Sequence, residues 1–269
     1  MALLKRVMLT ILAFTVLAGL PLDALADEII QREDMRDALT RTGVDGAFAG
    51  YDVVSGRLYI VNAPRAQKRL NPASTFKIAN SLIALETGVV RDENEIISYH
   101  SETQPLLKEW ARDMSMRDAI KLSNVPIYQE LARRIGLARY HDWLTRLSYG
   151  NAEIGMVVDR FWLDGPLTIS AVEEARFVAA LAQQKLPMSD RSQTIVRDIL
   201  KFETIGDRTI YAKTGWCRSC QPQIGWWVGW VENRGSVFAF ALNIDIVSLD
   251  DLEKRIPITK DLLSKLGVI

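Results

Sequence analysis

The sequence predicts an α+β fold: an antiparallel sheet of about five strands, flanked by helices, with an all-helical lobe inserted in the middle of the chain. Three observations predict it. Strand-like alternation occurs near both ends, in residues 46–62 and again from Thr209, whereas residues 90–200 carry mostly helical periodicity. Successive strands are joined by short turns, which favours antiparallel pairing. At 269 residues, 48% hydrophobic and 25% charged, the chain has ordinary globular composition and can bury one sizeable core.

Taken in order, residues 1–26, "MALLKRVMLTILAFTVLAGLPLDALA", open with Lys5 and Arg6, run apolar from about Val7 to Leu20, and end in Ala24-Leu25-Ala26. A basic start, a short apolar stretch and a small-x-small site describe a secretory signal, and the stretch is short for a membrane span. Its removal takes away two basic groups and one acid, leaving the 27–269 domain one unit negative. That balance does not suggest a nucleic-acid partner. No other segment is long and apolar enough to span a membrane, so an exported protein with no membrane contact after cleavage is expected.

Residues 27–41 read as an amphipathic helix with Ile29, Ile30, Met35, Ala38 and Leu39 on one side. Residues 46–62 read as two strands turned at Ser55-Gly56. A helix follows, opened by "NPASTFK" and ended by Gly88. The helical lobe spans about 90–200 and is broken by "SNVP", "SYGN" and "DGP". Then come the strands "TIYAKTG", "QIGWWVGWVE" and "SVFAFALNID", the last two joined by Asn233-Arg234-Gly235. A helix over about 250–266 closes the chain. The cleft between sheet and lobe is the natural place for a site.

Every chemical motif falls at that cleft. In "NPASTFKIAN" (71–80), Ser74 and Lys77 stand at i and i+3, on one face of a helix. Pro72 and Ser74 also suit a helix start, which would leave Lys77 unexplained. A serine nucleophile needs a base. The chain has only His100 and His141, neither in a motif that suggests a triad. A lysine can serve if burial keeps it neutral. "SNV" (123–125) supplies a second hydroxyl, Ser123. "KTG" (213–215) ends a strand, where Lys213 and Thr214 can address an anionic substrate and Gly215 permits close backbone approach. Singly, "SNVP" also reads as a helix-ending turn and "KTG" as a strand end. In this order, S-x-x-K, a serine-led triplet and K-T-G are the set found in penicillin-recognising serine enzymes.

The chain resembles the class D, oxacillinase-type, serine β-lactamases over its whole length after residue 26. "STFK", "SNV", "YGN" (149–151), "FWLDGPLTIS" (161–170), "KTGW" and "GWWVGWVE" carry the resemblance. It implies a penicillin-binding-protein-like fold and periplasmic hydrolysis of penicillin-type antibiotics through an acyl-enzyme on Ser74, and with it β-lactam resistance. It implies that Lys77 is N-carboxylated by carbon dioxide or bicarbonate and acts as general base, with no bound cofactor and no metal. Phe76, Val125, Trp162 and Leu163 would line an apolar pocket around the amine, the Trp162 indole N–H donating to the carbamate. Ser123 would relay a proton to the departing nitrogen. Lys213 and Thr214 would sit near the substrate carboxylate, and the amides of Ser74 and Trp216 would form the oxyanion hole. Arg255 occupies the place of the family's carboxylate-pairing arginine, with Lys254 the alternative. Tyr149 and Asn151 would shape the cleft. Some relatives dimerise, which leaves a homodimer open.

The same motifs also suit a β-lactam sensor that never deacylates, or a penicillin-binding protein acting on peptidoglycan stems; both acylate stably, so turnover separates them from a β-lactamase. The one departure from the family pattern is "WCRSCQP" (216–222), which holds both cysteines just after KTG. In an exported protein Cys217 and Cys220 can form a bridge or remain as two thiols. Both possibilities stay open here, as does the effect on which lactams are accepted.

Overall fold

The computed structural model describes residues 28–100 and 105–269. The segment read as an export signal lies outside the described residues. In chain order the elements are β1 (Glu28–Gln31), α1 (Asp37–Thr40), β2 (Gly46–Asp52), β3 (Arg57–Val61), α2 (Ala63–Gln67), α3 (Lys77–Glu86), β4 (Ile96–Ile97), β5 (Met114–Ser115), α4 (Met116–Lys121), α5 (Val125–Ile135) and α6 (Leu137–Arg146). They continue with α7 (Ala171–Ala182), α8 (Asp190–Ile199), β6 (Lys201–Ile205), β7 (Arg208–Cys217), β8 (Gln223–Asn233), β9 (Ser236–Ile246) and α9 (Asp251–Lys265).

The main sheet has seven strands in the order β1-β3-β2-β9-β8-β7-β6. All pairs are antiparallel except β1 with β3. The expected α+β class holds, with two strands more than the sequence suggested, one at each edge. β1 occupies the start of the expected 27–41 helix: Ile29 and Ile30 extend along Leu58 and Tyr59 rather than lying on a helix face. β6, "KFETI", is short and largely exposed.

Strand β8 shows why the sheet is buried on both faces. Its alternate residues Ile224, Trp226, Val228 and Trp230 join the core shared with the helical lobe and α7. Trp227 and Val231 point the other way, into a second core with Met35, Leu39, Ile258, Leu262 and Leu263 from the N-terminal segment and α9. This is the period-2 geometry of a strand covered on both sides. The β8–β9 hairpin closes through Arg234 and Gly235, both with positive φ (47° and 88°), as a twisted two-residue turn requires.

Within residues 90–200, α7 packs directly on β9, β2 and β8, while α5 and α8 pack on α3. The segment 116–126 shows how one stretch makes both a turn and a site. After α4, the Ser123 N–H reaches Ile120 O (3.2 Å) and the Asn124 N–H reaches Ala119 O (2.8 Å). That paired pattern ends a helix with a left-handed residue, usually glycine, and here the left-handed residue is Ser123 (φ 54°). Asn124 then caps α5, accepting from the Ile127 N–H at 3.1 Å. A serine in a conformation that favours glycine is strained backbone, a condition associated with function.

Candidate active site

The Ser74 turn is held from outside. Asn71 Oδ1 accepts from the Ala73 N–H (2.9 Å), the Trp226 indole N–H donates to Asn71 O (2.9 Å), and Ala73 takes a positive φ of 48°. Ala73–Phe76 form a 3-10 turn that runs into α3. Ser74 therefore does not cap the helix. In 3-10 geometry residues i and i+3 eclipse, and Lys77 Nζ donates to Ser74 Oγ at 2.7 Å.

Lys77 has no solvent exposure. Burial first, and then the charge of Lys213, push its ammonium pKa well below the ordinary 10.5. The ring facing the amine is that of Tyr128, 5.4 Å from Nζ to its centroid. Ser81 Oγ donates to Lys77 O (2.8 Å) and lies 2.8 Å from the Tyr128 hydroxyl, so α3 and α5 hold each other at this point.

Phe76 is the hub of an aromatic cluster. It stacks on Trp162 (5.4 Å between centroids) and meets Phe161 (5.1 Å), Tyr149 (5.7 Å) and Tyr140 (5.9 Å). Trp162 is fully buried, and its indole N–H has no hydrogen-bond partner among the described residues. An unpaired buried donor costs free energy and needs an explanation. Val125 and Leu163, also expected in this wall, are half-buried.

Across the cleft, Lys213 Nζ donates to Ser123 Oγ and to Thr214 O, both at 2.9 Å. Burial and then Arg255 bring its pKa down to about 7. Gly215 is closely approached by groups other than the one expected: a Cβ there would meet Pro72 O at 3.0 Å and the Thr75 methyl at 3.1 Å, so the glycine eases the approach of β7 to the Ser74 turn. Arg255 Nη1 donates to Gly215 O (2.8 Å), its pKa lowered to about 10 by burial. Its chain runs over Gly225, where a Cβ would stand 2.9 Å from Arg255 Cδ. Lys254 is directed elsewhere, to Asp251 Oδ1 (2.7 Å) and Thr42 O (2.8 Å). The Trp216 indole N–H donates to Gln223 Oε1 at 2.9 Å. Asn151 ties the "YGN" turn to the 166–168 segment, donating to Pro166 O and accepting from the Thr168 N–H, both at 3.0 Å. His141 is exposed on α6, and among the described residues no cluster of His, Cys, Asp or Glu could hold a metal.

Sequence reasoning missed Tyr128 and Glu174. Glu174 is fully buried in the first turn of α7 and accepts from Thr75 Oγ1 (2.7 Å) and the Tyr149 hydroxyl (3.0 Å), beneath the Ser74 turn. Burial raises its pKa from 4.5 to about 7, against the pull of those two donors. Between about 4.5 and 7 the folded protein holds a proton that the unfolded chain has lost, so stability from this group is full at low pH and is lost as pH rises through 7. Lys77 and Lys213, with depressed values, act in the opposite sense. Glu174→Gln keeps the acceptor and removes the titration. Urea unfolding at about pH 5 and pH 8 is expected to show the variant gaining on the native protein by on the order of 3 kcal/mol at the higher pH. A difference independent of pH would contradict the assignment.

The two cysteines form a disulfide, which settles the alternative the sequence left open.

Set beside known proteins, residues 46–264 match the penicillin binding protein transpeptidase domain. The chain is 40% identical over 264 residues to β-lactamase OXA-48 of Klebsiella pneumoniae, spanning 98% of this chain and 99% of the relative. It is 36% identical over 262 residues to β-lactamase OXA-10 of Pseudomonas aeruginosa, spanning 96% and 97%. Among solved structures, FUS-1 (OXA-85), a class D β-lactamase from Fusobacterium nucleatum subsp. polymorphum, superposes with a TM-score of 0.86 at 39% identity, over 89% of this chain and 100% of that one. The class D β-lactamase YbXI from Nostoc gives 0.84 at 38% identity, over 87% and 99%.

Proposed function

This chain belongs to the class D serine β-lactamases, hydrolases of the β-lactam amide bond, and on that premise we propose that it opens penicillin-type lactams through an acyl-enzyme on Ser74, with the Lys77 side chain as the seat of the base. The observation that carries this reading is the 2.7 Å contact between Ser74 Oγ and a lysine amine with no solvent exposure. A carbamate, formed when the neutral Lys77 amine takes up carbon dioxide, would supply the base both for the Ser74 proton and for the deacylating water. The pocket fits such a group: burial favours the neutral amine, and the free indole N–H of Trp162 is a donor awaiting an acceptor.

The other side chains then have defined tasks. Ser74 Oγ attacks the lactam carbonyl, and the amides of Ser74 and Trp216 receive the developing oxyanion. Lys213, with a pKa of about 7, can hold or release a proton near neutral pH. Through its bond to Ser123 Oγ it passes that proton to the departing lactam nitrogen. Lys213, Thr214 and the planar guanidinium of Arg255 face the substrate carboxylate. Asn151 and Tyr149 hold the cleft wall. The composition of residues 1–26 supports export to the periplasm.

Intact-mass analysis after rapid mixing with a large excess of benzylpenicillin tests the reading. One acyl adduct on the Ser74 peptide is expected, decaying to free enzyme as all the penicillin is consumed. A stable stoichiometric adduct with no further consumption would place the chain with the sensors or the penicillin-binding proteins.

A further inference from the structure

The Cys217–Cys220 bridge plays no part in the chemistry above, yet it sits beside the segment that carries Trp162. Within the bridged loop, Ser219 Oγ donates to Leu163 O at 3.0 Å, and Cys217 Sγ lies 3.9 Å from the same oxygen. Leu163 directly follows Trp162. The indole is packed by Phe76 on one side and by the edge of Phe161 (5.0 Å) on another. Its backbone, one residue on, is held by the bridged loop. Arg218, Ser219, Gln221 and Pro222 are exposed; beyond the strand pairing of Cys217 with Ile224 and the Arg218 guanidinium over the Trp216 ring (5.2 Å), the bridge is the loop's internal tie.

The two cysteines differ in exposure. Cys217 is buried, at 1% exposure. Cys220 is half-buried and lines an open groove of about 770 Å³ together with Asn71, Asp164, Pro166 and Gln221. The groove is the side from which a small thiol would reach the bridge at Cys220.

We propose that the Cys217–Cys220 bridge is a redox-sensitive positioning element for Trp162, opened by a small dithiol from this groove, and that opening it weakens the hold on the carbamate of Lys77. The inference rests on the reading of Lys77 given above. In the opening step a reagent thiolate bonds to Cys220 Sγ, the protein S–S bond breaks, and Cys217 leaves as a thiolate that takes up a proton. The second thiol of the reagent then displaces Cys220. The bridge gains two electrons and two protons, and the dithiol is oxidised to its own disulfide. Trp162 keeps its aromatic neighbours and Leu163 keeps its N–H bond to Arg160 O (2.8 Å), but the loop's hold on the Leu163 carbonyl is loosened, and with it the aim of the indole N–H.

The test is a titration with ¹³C-bicarbonate, followed by the carbamate carbon signal of Lys77 in NMR. It uses the oxidised protein, the dithiothreitol-reduced protein, and oxidised Ser219→Ala, which leaves the bridge intact. Loss of one positioning hydrogen bond or more is expected to raise the half-saturating bicarbonate about tenfold on reduction and about threefold in S219A. The rate of penicillin turnover should recover at saturating bicarbonate. A bridge that only stiffens a surface loop would lower the melting temperature without moving that midpoint. Equal midpoints in oxidised and reduced protein would overturn the proposal. Absence of the signal in the oxidised protein would instead overturn the reading of Lys77, and this inference with it.

Discussion

Lys77→Ala is expected to leave a folded protein that reacts with penicillin and then stays acylated at Ser74. The side chain it removes is the group in contact with Ser74 Oγ, and neither histidine stands in for it: His100 and His141 are both exposed. Both steps use the base and the oxyanion donors, but acylation also draws on the strain of the lactam, whereas deacylation must activate a water against an unstrained ester. Loss of a general base costs roughly 10²- to 10⁴-fold, and here it slows the second step more than the first. The trapped adduct is read by intact mass, and folding by the melting curve. The variant also removes a buried amine whose charge is disfavoured first by burial and then by Lys213, so a large loss of stability is not expected. Turnover by this variant within a few-fold of the native rate would show that the base lies elsewhere.

Phe76→Ala is expected to have the largest effect on stability. Phe76 has no exposure and meets four aromatic rings, from α6, the "YGN" turn and the "FWLDGP" segment. Truncating a buried phenylalanine costs about 3–5 kcal/mol, and for a chain of this size that lowers the melting temperature by on the order of 10 °C. The same substitution removes the surface on which Trp162 stacks, so bicarbonate dependence should steepen in whatever protein remains folded. Thermal unfolding checks the first effect. A fall of a degree or two would mean that the cluster collapses into the space, and that Phe76 is not its hub.

The parts of the site that were legible in the sequence are those set by short spacing. Ser74 and Lys77 are three residues apart, so local helical geometry alone brings them together. Ser123 and Lys213 are 90 residues apart in the chain and became readable only as members of a motif set, yet they meet at 2.9 Å. Only resemblance distinguishes Arg255 from Lys254 in the sequence. In the structure the arginine crosses the side-chain-free Gly225 to reach Gly215 O, while Asp251 holds the lysine. Glu174 carried no signal: a glutamate in the first turn of a helix is what a helix start prefers anyway, and nothing local says that it points inward. Tyr128 lies on the buried face of an amphipathic helix, where an aromatic residue is expected for packing.

The fold shows the same division. The hairpin strands β2, β3, β8 and β9 pair with sequence neighbours and could be read from alternation and turns. β1 could not, because its extended form comes from parallel pairing with β3 across an intervening strand and helix. On its own, "EIIQ" fits a helical stripe equally well. β6 is short, exposed and charged at one end, so it lacks the apolar alternation that marks a strand.

The most direct measurement is the rate of penicillin hydrolysis by purified residues 27–269 in buffer stripped of carbon dioxide and again with added bicarbonate. A buried neutral Lys77 that takes its base function from carbon dioxide requires sustained turnover that is low in the stripped buffer and rises saturably with bicarbonate. Turnover of equal rate in both buffers would contradict the assignment of the base to a carboxylated Lys77.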